Sequence, residues 1–405
     1  MKIAIFTEVY RPIVNGVVTS VETLAEQLRT LGHEVFTFAP HIPKGSESAG
    51  RVFRMPSLPL PARTEYRLTL PLVARRNKRR FLSQCDVIHS HSLFITGWMA
   101  SYYARRRFRV PLVYTYHTLL EQYAHYSPLG QRFTAQLTRE LTKTYASAAD
   151  AVIVPTKTVA AELRRQGVSA PICVVPTGID MDAFRHVERG TSLAVRAQFS
   201  IPADAPLLLL VSRLAIEKNV SLALDALQRL RQEHPTTHML LVGSGPLAHS
   251  LKQQVVTLGL RDVVHFVGTV EHNRIPAFYA AADLFVFPSV TETQGLVLAE
   301  AFASGLPVVA LDNPQTRDVF GEHLAGAIVA DAASMAAAIG QLLASPERRG
   351  QAATHAKTAA AAFDARATAG RVLAIYEAVL ADLDTSKRVG RATPLADLPY
   401  VATDL

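Results

Sequence analysis

The sequence predicts an α/β protein of two domains, each built on a parallel sheet. Three observations carry this expectation. Short apolar runs of strand length alternate with helical patterns along the whole chain, as they do where helices cross between parallel strands. The chain has 405 residues, 49% hydrophobic and 19% charged, enough to bury two cores and unlike a disordered polymer. Turn chemistry at Pro176-Thr177-Gly178-Ile179-Asp180 follows one strand candidate and precedes a second series, which marks a hinge.

Taken in order, the first domain (1–178) has strand candidates at Lys2–Phe6, Glu34–Ala39, Asp86–His89, Leu112–Tyr116, Ala151–Val154 and Ile172–Val175. Val17, Val21, Leu24 and Leu28 recur at helical spacing between the first two. The second domain (179–362) has strand candidates at Leu207–Val211, His238–Val242, Val263–Val267, Leu284–Phe287 and Pro307–Ala310. There Leu222, Ala226, Leu227 and Leu230 repeat the helical pattern. Phe363–Leu383 reads as a long final helix, and the segment 363–384 is expected to cross back to the first domain. The tail 385–405, interrupted by Pro394 and Pro399, is expected to be loose.

Composition excludes several classes. Cys85 and Cys173 are the only cysteines, so there is no disulfide framework and no zinc pattern, which suits a reducing cytoplasm. The opening apolar run is broken at Thr7-Glu8, too soon for a signal peptide. No apolar run reaches the roughly 18 residues that span a bilayer. Charge is uneven. Residues 1–190 hold 25 Lys and Arg against 14 Asp and Glu, a balance of +11, and residues 191–405 hold 17 against 20, or −3. The excess lies in Arg75-Arg76-Asn77-Lys78-Arg79-Arg80 and in Arg105-Arg106-Arg107-Phe108-Arg109. Such runs suit a solvated helix face or an anionic membrane. Aromatic residues interleave poorly with them and no nucleic-acid motif lies nearby, which argues against nucleic acid.

The most informative stretch is Glu292-Thr293-Gln294-Gly295-Leu296-Val297-Leu298-Ala299-Glu300. It follows a buried strand candidate, so Glu292 falls on the strand's exit loop and Glu300 inside the next helix. Ligands of open α/β sheets bind at that edge, and a carboxylate accepts from the paired hydroxyls of a sugar or ribose. A helix-capping glutamate beside a solvated one would leave the same pattern. Arg213 and Lys218 share another strand-exit loop, where a guanidinium fork and a point charge suit phosphate, although either could pair with a local carboxylate such as Glu217. Asn15-Gly16-Val17 opens a helix after the first strand, a place for an anion or an ordinary turn. His117 ends the run Val113-Tyr114-Thr115-Tyr116-His117 as a ligand or a satisfied structural histidine. Gly243-Ser244-Gly245-Pro246 lacks the third glycine of the dinucleotide fingerprint. Asp180/Asp182, Asp382/Asp384 and His89/His91 lack further metal ligands at suitable spacing, and no Gly-x-Ser-x-Gly elbow supports serine catalysis.

Together these features resemble glycosyltransferase family 4. The resemblance rests on Arg213 with Lys218, on Glu292 with Glu300 behind Phe287-Pro288-Ser289, on the opening Phe6–Val17 and on the hinge Val175–Asp180. It implies a GT-B fold, two Rossmann-like domains facing each other across a cleft, and retaining transfer of a hexose from a nucleoside diphosphate sugar. By the same resemblance Arg213 and Lys218 hold the diphosphate, Glu300 the ribose, and Glu292 the donor sugar with the backbone around Gln294, Gly295 and Leu296. Gly16 closes on the phosphate, His117 touches the transferred sugar, and the base lies near Val267. Many relatives have two adjacent glycines where this chain has Asn15-Gly16; Asn tolerates unusual backbone angles.

Tyr116–Tyr123, Leu58-Pro59-Leu60-Pro61 and Glu65-Tyr66-Arg67 further resemble bacterial glucosyltransferases acting on diacylglycerol. That implies a lipid acceptor beside Tyr123, His125 and Tyr126, and a protein held at the inner face of the cell membrane through its basic runs. A UDP-sugar is favoured over a GDP-sugar as the donor, with no cofactor or metal required. Mannosyl transfer to phosphatidylinositol or a glycolipid, a soluble acceptor, and sugar-nucleotide epimerisation remain the alternatives.

Overall fold

The computed structural model describes residues 1–13, 15–42, 50–60, 63–71, 76–119, 130–385 and 395–402. It divides into two compact units, one of Met1–Gly178 with Ala365–Leu405 and one of Ile179–Asp364.

The strands described in the first unit are β1 (Lys2–Phe6), β2 (Glu34–Pro40), β3 (Val52–Met55), β4 (Ser57–Leu60), β5 (Arg63–Thr69), β6 (Val87–Ser90), β7 (Leu112–Thr115), β8 (Ala151–Val154) and β9 (Ile172–Val174). Seven form one parallel sheet in the order β3-β2-β1-β6-β7-β8-β9, while β4 and β5 make an antiparallel hairpin. A central parallel strand is covered on both faces, so it reads as an unbroken apolar run. In β1 the alternate residues Ala4 and Phe6 join a core with Phe38, Ile88 and Tyr114. Ile3 and Ile5 join the opposite core with Val21 and Leu24, from the helix Gly16–Thr30, and with Ile375 and Tyr376. The last two belong to the helix Ala365–Thr385, which thus supplies core to the first unit. That helix starts two residues later than the sequence suggests. Ala361–Phe363 form a 3₁₀ turn, and Asp364 is extended at φ −61° and ψ 126°.

In the second unit the strands are β10 (Leu207–Val211), β11 (His238–Val242), β12 (Val264–Gly268), β13 (Leu284–Phe287), β14 (Val308–Leu311) and β15 (Gly326–Val329). They form one parallel sheet in the order β12-β11-β10-β13-β14-β15. Leu207 and Leu209 face one core, Leu208 and Leu210 the other. In each sheet the unit's first strand has neighbours wound in opposite directions: β1 lies between β2 and β6, and β10 between β11 and β13. The exit loops diverge at such a switch point and leave a crevice at the carboxyl edge.

Strands β3, β15 and the β4–β5 hairpin were not anticipated. β3 and β15 are edge strands of four residues, too short for a periodic signal. The tail corrects the expectation of looseness over its described part. Val174 N donates to Tyr400 O at 2.8 Å and Ala402 N to Ile172 O at 2.9 Å, and Val401 bridges Cys173 in antiparallel fashion. Leu395 is buried, with Leu398, Tyr400 and Val401 packed against the same core. The tail therefore covers the open edge of β9, an edge that otherwise invites pairing with another chain. Truncation after residue 394 should lower stability by about 1–3 kcal/mol. A urea midpoint unchanged by the truncation would contradict this role.

Candidate functional site

The switch point of the second sheet brings two exit loops together. After β10 the chain runs through Ser212 and Arg213 into a 3₁₀ turn at Ile216–Lys218, then enters the helix Val220–Leu230. After β13 it runs from Pro288 to Gly295 and enters the helix Leu296–Ala303. Lys218 Nζ donates to Glu292 Oε1, and Ser289 Oγ donates to the same oxygen at 2.9 Å. The loops are tied again by Val290 N to Glu217 O at 3.0 Å. Asn313, beyond β14, donates from Nδ2 to Ser289 O at 3.0 Å. The Lys218 and Glu292 side chains are only 18% and 13% exposed, so their pairing is screened less than a surface ion pair. Among the described residues Glu292 Oε2 accepts no hydrogen bond, which leaves it able to accept from a hydroxyl.

Arg213 is exposed on the same loop. Its backbone is held by the exit loop of β11: Leu214 N donates to Ser244 O, and Leu247 N to Leu214 O, both at 3.0 Å. A Cβ on Gly243 would lie 2.0 Å from Ser212 O, and one on Gly245 would lie 2.3 Å from Leu214 O. These glycines, read from sequence as an incomplete nucleotide loop, let two backbones approach closely and so place Arg213.

Gly295 caps the helix Leu296–Ala303 at φ +78° without a side-chain hydrogen bond, and Leu298 N donates to Gly295 O at 2.9 Å; a helix start that no side chain caps suits an anion. Gln294 is buried beside it and Leu296 half-buried. Glu300, inside the helix, is 6% exposed. Tyr279 Oη donates to its Oε2 at 2.8 Å. Burial pushes the Glu300 carboxyl up to about 7, against the opposing pull of the Tyr279 hydrogen bond. Val267 lies half-buried in edge strand β12. The sheet order thus gathers Lys218 and Glu292, while Glu300 is buried in the following helix against Tyr279. Ser289, Asn313 and Tyr279 support these carboxylates. Only Ser289 stood near a sequence motif, and nothing local marked the other two.

In the first unit, Gly16 is the first residue of its helix and Asn15 the N-cap, with Asn15 Oδ1 accepting from Val18 N at 3.0 Å. Asn15 is extended at φ −158°, so its tolerance of unusual angles is not used. The helix needs a capping oxygen there. His117 lies two residues beyond β7, half-buried, with Nε2 2.7 Å from His91 Nδ1. His89 bonds Tyr376 Oη at 2.6 Å and Thr115 Oγ1 at 2.7 Å. Burial lowers His89 to about 3, with a smaller contribution from His117, and lowers His117 to about 4. Asp180 caps the short helix Met181–Arg185. Among the described residues there is no group of three or more His, Cys, Asp or Glu suited to a metal. Tyr123, His125 and Tyr126 lie outside the described residues. So does Arg75, while Arg79, Arg80, Arg105, Arg106, Arg107 and Arg109 are exposed. Among the described residues no helix is long and apolar enough to cross a membrane.

Comparison with known proteins gives the site its context. Residues 14–183 match the model of Glycosyltransferase Family 4, and residues 193–359 that of Glycosyl transferases group 1. The chain is 31% identical to the alpha-monoglucosyldiacylglycerol synthase of Streptococcus pneumoniae, over 86% of this chain and 79% of that protein. It is 32% identical to the protein of the same name from Acholeplasma laidlawii, over 76% and 80%. Among solved structures it is similar to Anabaena HepE in complex with UDP and glucose, with a TM-score of 0.75 and 21% identity, over 92% of this chain and 98% of that one. The fold is GT-B, with two Rossmann-like domains.

Glu300 yields a prediction with a definite sign. Its folded pKa, about 7, lies above the ordinary 4.5. As pH rises from about 4.5 to 7 the unfolded carboxyl loses its proton first, so stability is lost across that window. Glu300→Gln carries no such loss. The variant should gain stability over wild type as pH rises through the window, by no more than about 3 kcal/mol at pH 8. Urea midpoints of both proteins at pH 5 and pH 8 measure it, and a difference that does not grow with pH would show that the carboxyl is not so perturbed.

Proposed function

Because the chain belongs to glycosyltransferase family 4, we propose that it moves a hexose, glucose in our reading, from a nucleoside diphosphate sugar to a membrane lipid such as diacylglycerol, with retention at the anomeric carbon. The observation that supports the donor side is the pairing of Lys218 with Glu292 at the switch point of the sheet, with Arg213 on the same exit loop as Lys218. The lipid acceptor is supported by the identity of 31–32% to two alpha-monoglucosyldiacylglycerol synthases.

In the proposed reaction the bond from the sugar's anomeric carbon to the diphosphate breaks, and its electron pair leaves on the phosphate oxygen. The acceptor oxygen bonds the same carbon from the same face, and its proton passes to the departing phosphate. Arg213 and Lys218 stabilise the negative charge that develops there. They supply the positive charge for which other enzymes use a divalent ion, so activity should survive EDTA. Glu292 Oε2 accepts from a donor-sugar hydroxyl and Glu300 from the ribose. The N–H groups that open the helix Leu296–Ala303 face the anionic part of the donor, with the base beside Val267, a UDP-sugar being favoured. We assign His117 a hydrogen bond to the transferred sugar.

A lipid acceptor requires a surface that reaches the bilayer. Phe94, Trp98 and Tyr102, four residues apart along one helical stretch, are 50%, 43% and 55% exposed. The same stretch continues into Arg105, Arg106 and Arg107, all exposed. Aromatic rings settle at the membrane interface, and cations near an anionic surface contribute roughly 1 kcal/mol each.

Two experiments test these assignments. Arg213→Ala and Lys218→Ala should each lower turnover by about a hundredfold or more. Calorimetry with bare nucleoside diphosphate should show weaker binding to Glu300→Gln and nearly unchanged binding to Glu292→Gln. Near-normal turnover in both cation variants, or equal loss of affinity in both glutamate variants, would overturn the donor assignment. The companion assay follows UDP and GDP release from a panel of nucleotide sugars with and without diacylglycerol, with product NMR for an α-linkage.

The membrane surface is tested separately. Trp98→Ser combined with Arg79, Arg80, Arg106 and Arg107→Gln should weaken flotation with anionic liposomes at low salt. It should also reduce turnover on bilayer-embedded acceptor more than on a soluble analogue. Wild-type protein that never floats with such vesicles would remove the membrane reading and leave the donor assignment standing.

A further inference from the structure

We propose that His91 is a positioning residue for His117, holding that ring in one orientation and one tautomer through the hydrogen bond between His91 Nδ1 and His117 Nε2. Its catalytic consequence rests on the assignment of His117 to the transferred sugar.

The contrast between two neighbouring histidines points to this role. His89 is satisfied at both ring nitrogens, by Tyr376 Oη at 2.6 Å and by Thr115 Oγ1 at 2.7 Å. That is how a structural histidine is held in a core. His91, two residues on and 5% exposed, is not. Its Nδ1 meets His117 Nε2 at 2.7 Å, while its Nε2 is buried without a partner among the described residues. The ring thus leaves one nitrogen unsatisfied and keeps its hydrogen bond to His117. Its centroid lies 4.2 Å from that of His89 and 5.0 Å from that of His117, and the planes of the latter pair are only 20° apart, as an edge-to-edge hydrogen bond requires. His89 in turn is fixed by the helix Ala365–Thr385 through Tyr376.

The polarity of the bond follows from the unpartnered nitrogen. Two neutral imidazoles facing each other must supply one hydrogen and one lone pair. A buried N–H without an acceptor is rarer than a buried acceptor without a donor, so His91 Nε2 carries the lone pair and His91 Nδ1 the hydrogen. His117 Nε2 then accepts, and His117 carries its own hydrogen on Nδ1. Burial, with the neighbouring rings adding to it, keeps His91 well below its ordinary range, which agrees with a neutral pair. His117 thereby carries a donor at Nδ1 and an acceptor at Nε2.

Nitrogen-15 NMR of the histidine-labelled protein reads the tautomer directly. Wild type should show His117 with its hydrogen on Nδ1. His91→Phe should give His117 a mixed tautomer, and His91→Asn, whose amide nitrogen can stand near the position of Nδ1, should restore the single one. In turnover, His91→Phe should lower kcat about tenfold to a hundredfold with the KM for donor unchanged, and His91→Asn should recover most of the loss. A His117 tautomer identical in wild type and His91→Phe overturns the proposal, as does an Asn variant no better than Phe in the NMR. Thermal melts confirm that both variants are folded. Full turnover in His117→Ala would overturn the sugar contact instead, and the NMR comparison would still decide the role of His91.

Discussion

The second unit's site depends on the ion pair between Lys218 and Glu292. The partners are 74 residues apart in sequence and meet only because β10 and β13 are adjacent at the switch point of the sheet. Both side chains are less than a fifth exposed, so removing either leaves a largely desolvated charge without its partner, which is costly. Ser289 adds a second donor to the same carboxylate oxygen, and Asn313 holds Ser289 through its carbonyl. The pair thus keeps two charges compensated in a crevice that would otherwise be expensive to charge. In the proposed reaction a phosphate adds to the contacts of Lys218 and a sugar hydroxyl donates to the second oxygen of Glu292, Oε2, so the pair can persist while the donor binds.

Much of this was legible in the sequence because it is local. The central strands are buried on both faces and read as apolar runs; Lys2–Phe6, Ala151–Val154, Leu207–Val211, His238–Val242 and Leu284–Phe287 occupy the expected limits. Arg213, Lys218, Glu292 and Glu300 stood out because exit loops and the turn that follows them are where an open sheet places its chemistry. What was not legible is what tertiary contact decides. Nothing in the residues around Lys218 names Glu292, rather than Glu217, as its partner. Tyr279 meets Glu300 from another helix, and Tyr376 reaches His89 across 287 positions. Proline content suggested a loose tail, but an uncovered edge on β9 and a few apolar side chains suffice to dock its described part. Asn15 invited an argument from backbone freedom, whereas the helix it opens needed an oxygen.

The two units meet the cost of buried ionisable groups in opposite ways. In the second, Glu300 is an acid whose charged form is disfavoured by burial, so its contribution to stability falls as pH rises from about 4.5 to 7. In the first, His89, His91 and His117 are bases kept neutral by burial and proximity. Unfolded histidines take up protons as pH falls below about 6.5 while the folded ones do not, so stability is lost as pH falls through that value toward the folded pKa of about 4 for His117 and about 3 for His89. Acid therefore relieves one unit and strains the other. Neither burden is needed for folding, since apolar residues of similar size would fill the same space without it. Groups that cost stability in the free protein while lying beside a crevice or a strand exit mark where selection has favoured something other than stability. Glu300 in the second unit and His91 with His117 in the first are the groups to which the proposed reaction gives work in return for that cost, whereas His89, bonded at both nitrogens, is held as part of the frame.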